Sequence, residues 1–201
     1  MSLTAVALTF AAIFVVELPD KTFIAALVLT TRYRGLHVWI GVGLAFLVQT
    51  LIAVTVGKAV TFLPEDLVHG IAGLIFLAGA VVLFREAPKA DAEEQETEAE
   101  FAAKTTVTKT GGAAVLASFL LLFAAEWGDL SQLLTISLVG RYDDPVAVFI
   151  GAWSALLVVS GLAVVSGRFL LRHVRLSVIH YVGAAVCLLL AGITAYELLR
   201  G

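Results

Sequence analysis

Residues 10–30 read FAAIFVVELPDKTFIAALVLT and residues 119–139 read FLLLFAAEWGDLSQLLTISLV. Both are apolar runs long enough to span a bilayer, and both are interrupted near the middle by charge. The interruption is Glu17-Leu-Pro-Asp20-Lys-Thr22 in the first and Glu126-Trp-Gly-Asp129-Leu-Ser131 in the second. Charge is expensive there: insertion scales put an aspartate or lysine at the centre of a spanning helix at about 2.5 to 3.5 kcal/mol. Glu17 and Asp20 are spaced i and i+3, as are Glu126 and Asp129, so on a helix each pair shares one face. Pro19 removes a backbone donor and Gly128 permits an irregular backbone. Each run is therefore expected to break at its motif and to free carbonyls that can ligate cations.

The rest of the chain supports a bilayer setting. Of its 201 residues 60% are hydrophobic and only 14% charged, with a mean hydropathy of +1.00. A soluble domain is about 45–50% apolar and about a quarter charged. Six stretches are apolar enough to span, at about residues 3–31, 37–60, 66–85, 113–139, 145–167 and 176–198. The N-terminus lacks a basic region and a small-residue cleavage site, so it reads as the first span and not as a signal peptide. Residues 86–112 form an acidic, apolar-poor linker closed by Gly111-Gly112. It reads as a solvated tether, part-helical around Ala92–Lys104, with a cation-attracting or regulatory segment as the sharper alternative. The lone Cys187 excludes an internal disulfide and reads as packing.

The two halves repeat. Glu17 and Glu126, Asp20 and Asp129, and Tyr33 and Tyr142 are each 109 apart (126 − 17, 129 − 20, 142 − 33), and Gly73 and Gly183 are 110 apart (183 − 73). Three spans per copy is an odd number, so the second copy enters the membrane from the opposite side. The expected fold is all-α, a polytopic membrane protein of six transmembrane helices as a 3+3 inverted repeat. Residues 1–85 form the first three-helix repeat, 86–112 the linker and 113–201 the second repeat. Lys58, Arg141 and Arg200 would lie on one side, and Arg32, Arg34, Arg85, Lys89, Lys104, Lys109, Arg168, Arg172 and Arg175 on the other. The positive-inside rule then places the linker in the cytoplasm and both termini outside, in the cell inner membrane if the chain is bacterial.

Inverted symmetry would bring the two motifs face to face, four carboxylates with Thr22, Ser131 and Gln132 as neutral oxygens. Neither motif contains His or Cys, and such a set suits a hard divalent cation better than Zn²⁺ or Cu⁺. Crowded, desolvated carboxylates hold protons when no metal is present, and a metal must expel them, so competition for one site would yield antiport. Lys21 is either a counter-ion for the unloaded site or a side chain reaching an interface. The expected partners are lipid, a divalent cation and protons, with no resident cofactor. No basic patch points to nucleic acid, and the sequence is compatible with a homo-oligomer.

Rival readings are weaker. An exporter of an amino acid or other small cationic solute would need an apolar pocket, whereas the motifs are mostly small oxygen ligands. An intramembrane enzyme would have to pair Ser131 with the distant His180, and no H-E-x-x-H pattern occurs. A passive scaffold does not explain a duplicated acidic motif. His69 and His180 recur near segment edges and read as interfacial, and Trp39, Trp127 and Trp153 include interface anchors.

Two copies of an E-x-G-D-[KR]-[ST] motif on six helices, separated by an acidic loop, resemble the cation–proton exchanger family. That family contains bacterial manganese exporters and the Golgi calcium/manganese transporter, in the calcium:cation antiporter-2 superfamily. The resemblance covers essentially the whole chain and implies exchange of Mn²⁺ or Ca²⁺ for H⁺. It carries the ligand role to Glu17, Asp20 and Thr22, then to Glu126, Asp129, Ser131 and the following Gln132. Two departures stand out: Pro19 in place of the motif's glycine, and Leu130 in place of its basic residue.

Overall fold

A computed structural model of the chain describes residues 2–18, 21–105, 107–173 and 176–200. Among these residues the helices are α1 (Leu3–Glu17), α2 (Lys21–Thr30), α3 (Gly35–Val60), α4 (Glu65–Glu86), α5 (Ala90–Lys104), α6 (Gly112–Ala125), α7 (Leu130–Tyr142), α8 (Pro145–His173) and α9 (Leu176–Arg200). Helices α3, α4, α8 and α9 are each long and apolar enough to cross a bilayer. The pairs α1–α2 and α6–α7 pass the same test jointly, but are bent by 70° and 74°. The chain is thus a multi-pass membrane protein with four crossings, or six if each bent pair counts as one.

The first and fourth expected spans are therefore two helices each. In the second bent pair the cause is explicit. Gly128 has φ +81, a left-handed conformation that costs an L side chain about 1–2 kcal/mol. Beyond it Asp129 caps the new helix, its carboxylate accepting the backbone N–H of Ser131 at 3.2 Å. Pro19 and Asp20, at the corresponding point of the first pair, lie outside the described residues.

Close helix approaches position these breaks. A Cβ on Gly41 of α3 would meet Val115 O of α6 at 2.4 Å and Ser118 Cβ at 2.8 Å. One on Gly151 of α8 would meet Val6 O of α1 at 2.6 Å and Thr9 Cβ at 2.9 Å. Backbones can come this near only where no side chain intervenes. Helices α4 and α9 lie along one another, Gly73 facing Thr194 and Gly183 facing Leu83. The outer surface is strongly apolar, with Leu74, Phe84, Leu116, Val165 and Leu189 exposed, as contact with lipid and not water requires.

The linker differs from the expected tether. Its acidic helix α5 packs against α2, burying Ala90 and Phe101, and Val107 O accepts a hydrogen bond from the Tyr33 hydroxyl at 3.4 Å. This ties the linker to the 31–34 loop on one face of the bundle. On the opposite face the Ser2 backbone N–H donates to Asp144 at 2.8 Å, joining the N-terminus to the loop between α7 and α8.

Candidate cation site

The ends of α1 and α6 converge. One carboxylate oxygen from each of Glu17, Glu126 and Asp129 lies within 4.8 Å of the other two. Glu17 is 0% exposed and Glu126 4%, while Asp129 is half-buried. Glu17 is the last residue of α1, Glu126 the C-cap of α6, and Asp129 the N-cap of α7. The two helix breaks therefore deliver these three side chains to one place from two distant parts of the sequence. Three carboxylates at this spacing could hold a divalent cation, each supplying one oxygen.

A cavity of about 290 Å³ opens beside them. Glu126, Asp129, Lys21, Glu86 and His180 contribute its polar wall, and Val16, Leu83 and Leu130 part of its apolar wall. Its rim includes exposed Lys21 and Glu86, the latter ending α4 where the linker begins. The cavity thus faces the linker side.

The remaining expected ligands are placed differently. Gln132 does not line the cavity. Its Nε2 donates to Glu126 O at 2.9 Å, and its Oε1 accepts from Gly128 N at 3.3 Å, so the side chain bridges the break. Ser131 is buried, and its carbonyl accepts from the Thr135 hydroxyl at 2.7 Å. Thr22 is fully buried, with a hydroxyl oxygen lacking a hydrogen-bond partner. Neither lines the cavity. Asp20 lies outside the described residues.

The family model of the divalent cation/proton antiporter GDT1 matches residues 5–91 and 114–201, leaving out most of the linker. The chain belongs to this family. It is 30% identical to Protein PAM71 of Arabidopsis thaliana over 94% of its own length and 56% of that protein's. It is 31% identical to the Arabidopsis PAM71-homolog over 93% of its length and 58% of that protein's. It is also 30% identical to the GDT1-like protein sll0615 of Synechocystis, over 89% of its length and 90% of that protein's. The chain thus spans little more than half the length of these two plant relatives. No solved structure matches the chain. The GDT1 family is one of transporters, which sets aside the intramembrane-enzyme reading of Ser131 and His180.

For this GDT1-family chain, sequence reasoning missed two wall residues. His180 read as interfacial because it stands near a segment edge, yet it faces the carboxylate cavity. Glu86 read as part of the linker, yet it ends α4 on the cavity rim. Their only sequence signal was an ionisable side chain at the linker-side end of an apolar run.

Proposed function

We propose that this protein exchanges a divalent cation, Mn²⁺ or Ca²⁺, for protons and exports the cation from the cytoplasm. The observation that carries the reading is the convergence of Glu17, Glu126 and Asp129 within 4.8 Å. Two carboxylates at that separation repel by about 3.5 kcal/mol at an effective dielectric of about 20. Either a dication or protons relieve that repulsion, so one site serves both substrates in turn. Asp20, Thr22 and Ser131 complete the ligand set in this reading, and Lys21 acts as a counter-ion when the metal is absent. The amino-acid exporter fits less well: the cavity does carry an apolar wall, but three convergent carboxylates disfavour a substrate that itself carries a carboxylate.

The two halves, 1–85 and 113–201, serve as inverted repeats in this reading, with 86–112 as a cytoplasmic linker in a cell inner membrane. Repeated packing supports it. The Gly41 contacts with Val115 and Ser118 recur at Gly151 with Val6 and Thr9, offset by 110 (151 − 41) and 109 (115 − 6, 118 − 9). The stacked ring pairs Phe10–Phe14 and Phe119–Phe123 recur at 109 (119 − 10).

Purified protein in proteoliposomes tests the function, with Mn²⁺ and Ca²⁺ uptake and lumenal pH read together. Metal flux with an opposing proton flux is expected, and Glu17→Gln and Glu126→Gln should each abolish it while leaving the helical spectrum intact. Metal movement without counter-flow of protons would overturn the exchange. Retained flux in both variants would overturn the site.

A further inference from the structure

The packing that repeats between the halves stops repeating at one place. Gly73 faces Thr194 and Gly183 faces Leu83; with offsets of 110 (183 − 73) and 111 (194 − 83) these are one contact read in both directions. Helices α4 and α9 are therefore a matched pair. Their seating on the other helices is not matched. On the face opposite the linker α7 packs on α4, where a Cβ on Gly140 would lie 2.7 Å from Val68 Cγ1. The counterpart pair, α2 and α9, has no comparable contact among the described residues. Likewise α1 packs on α9, but α6 does not pack comparably on α4. The missing contacts coincide with the cavity, whose wall includes Leu83 and Glu86 of α4, His180 of α9 and the 125–130 break.

A polar clasp closes the packed side. Arg141, in the last turn of α7, donates through Nη2 to Glu197 at 2.9 Å and through Nη1 to the Thr194 hydroxyl, both on α9. Its side chain is 8% exposed. Charge-assisted bonds to a nearly buried guanidinium are strong enough to hold a helix end in place, and they break as a unit when that end moves. The counterparts of Arg141 and Glu197 are Arg32 (141 − 109) and Glu86 (197 − 111). Both are exposed and no ion pair joins them, with Glu86 on the rim of the open cavity.

We propose that α4 and α9 rock as one unit against the remaining helices, with Arg141–Glu197 the clasp that shuts the face opposite the linker and Arg32–Glu86 the clasp that shuts the linker face in the alternate state. The structure is then the linker-open state. This moving unit takes one helix from each half, instead of setting one three-helix half against the other. The inference rests on the transport reading above, because a clasp that alternates has a purpose only if the site is reached from both sides.

Two cysteine pairs in a Cys187→Ala background test it. Gly140→Cys with Val68→Cys replaces the methyl that the new Cβ would meet and brings two sulfurs within disulfide reach. Oxidation should stop Mn²⁺ flux at least tenfold, and reduction should restore it. The counterpart pair, Thr31→Cys with Val178→Cys, should cross-link only while the protein cycles, and should also stop flux. Full flux in the oxidised Gly140–Val68 pair, or no Thr31–Val178 cross-link in cycling protein, would overturn the proposal. If the reduced proteins move no cation at all, the transport reading fails first, and accessibility still tests the clasp. Ala125→Cys in the cavity wall should react with an impermeant maleimide from the linker side alone, and Glu197→Gln should add reaction from the opposite side. Labelling that stays one-sided in Glu197→Gln would overturn the clasp.

Discussion

Gln132→Leu separates a residue that binds the cation from one that shapes its site. The wild-type amide donates to Glu126 O at 2.9 Å and accepts from Gly128 N at 3.3 Å, so it spans the break that aims Glu126 and Asp129. Leucine keeps nearly the same bulk and removes both bonds. The shorter bond contributes about 1 kcal/mol net and the longer about 0.5 kcal/mol. If the loss falls on the order of the break, apparent cation affinity falls by about 1.5 kcal/mol, roughly tenfold. Titration of purified protein with Mn²⁺, followed by flux in proteoliposomes, reads this directly. Gln132→Glu sharpens the distinction. A direct ligand would gain a charge and bind Mn²⁺ more tightly, whereas a clasp loses the donor facing Glu126 O and binds more weakly. Tighter binding in Gln132→Glu, with Gln132→Leu unchanged, would refute the clasp and return Gln132 to the ligand set.

Gly128→Ala should cost about 1–2 kcal/mol through backbone strain alone, because φ is +81 and no atom lies within 4 Å of the new Cβ. The expected result is a lower Tm together with weaker metal binding, and an unchanged Tm would contradict the left-handed break. Phe101→Ala should release α5 from α2, since the ring is 3% exposed and truncating a buried phenylalanine costs up to about 3–5 kcal/mol. Faster proteolysis within residues 87–111 with an intact bundle is the readout, and unchanged cleavage would contradict docking. The backbone N–H groups of Ser2 and then Ala147 hold the Asp144 carboxyl below the usual carboxylate range. A lowered folded value means the tie is fully present above the ordinary aspartate range and is lost as pH falls through the lower folded value. The hydrogen-exchange protection factor at residues 2–5, taken against the unfolded-chain rate at each pH, should hold from neutral pH down to about pH 4 and fall below it; protection lost already near neutral pH would refute the tie.

How much was legible depended on whether the sequence carried a pattern or a single residue. The broken spans could be read from Gly128 and the duplicated acids, because left-handed backbone and intramembrane charge each have few explanations. The expectation that the two motifs meet came from the 109-residue offset, and Glu17 does converge with Glu126 and Asp129. The docking of α5 could not. One phenylalanine, Phe101, among glutamates creates no apolar periodicity, yet it suffices to seat a helix when α2 offers a place for it. The backbone bonds of Gln132 were illegible for a different reason. An amide beside two carboxylates is chemically suited to a metal, and nothing in the sequence says that its two ends also bond the backbone across the break.

The difference between the two motifs acquires a physical meaning from the packing of α4. Lys21 is exposed and stands in the cavity wall. Its counterpart Leu130 is half-buried, with a methyl 3.1 Å from where a Cβ on Gly79 would stand, and Cys187 Sγ 3.5 Å from that same point. An ammonium in that place would be driven against an apolar contact between α7, α4 and α9, at the cost of burying a charge. The leucine therefore does more than remove a positive charge from the family pattern: from the apolar wall of the cavity it also seats the start of α7 against the helix pair. Glu17 and Glu126 recur in the two motifs and converge, while the residues that follow the motif aspartates differ. Lys21 stands exposed on the cavity rim, and Leu130 joins the cavity's apolar wall to the contact between α7, α4 and α9.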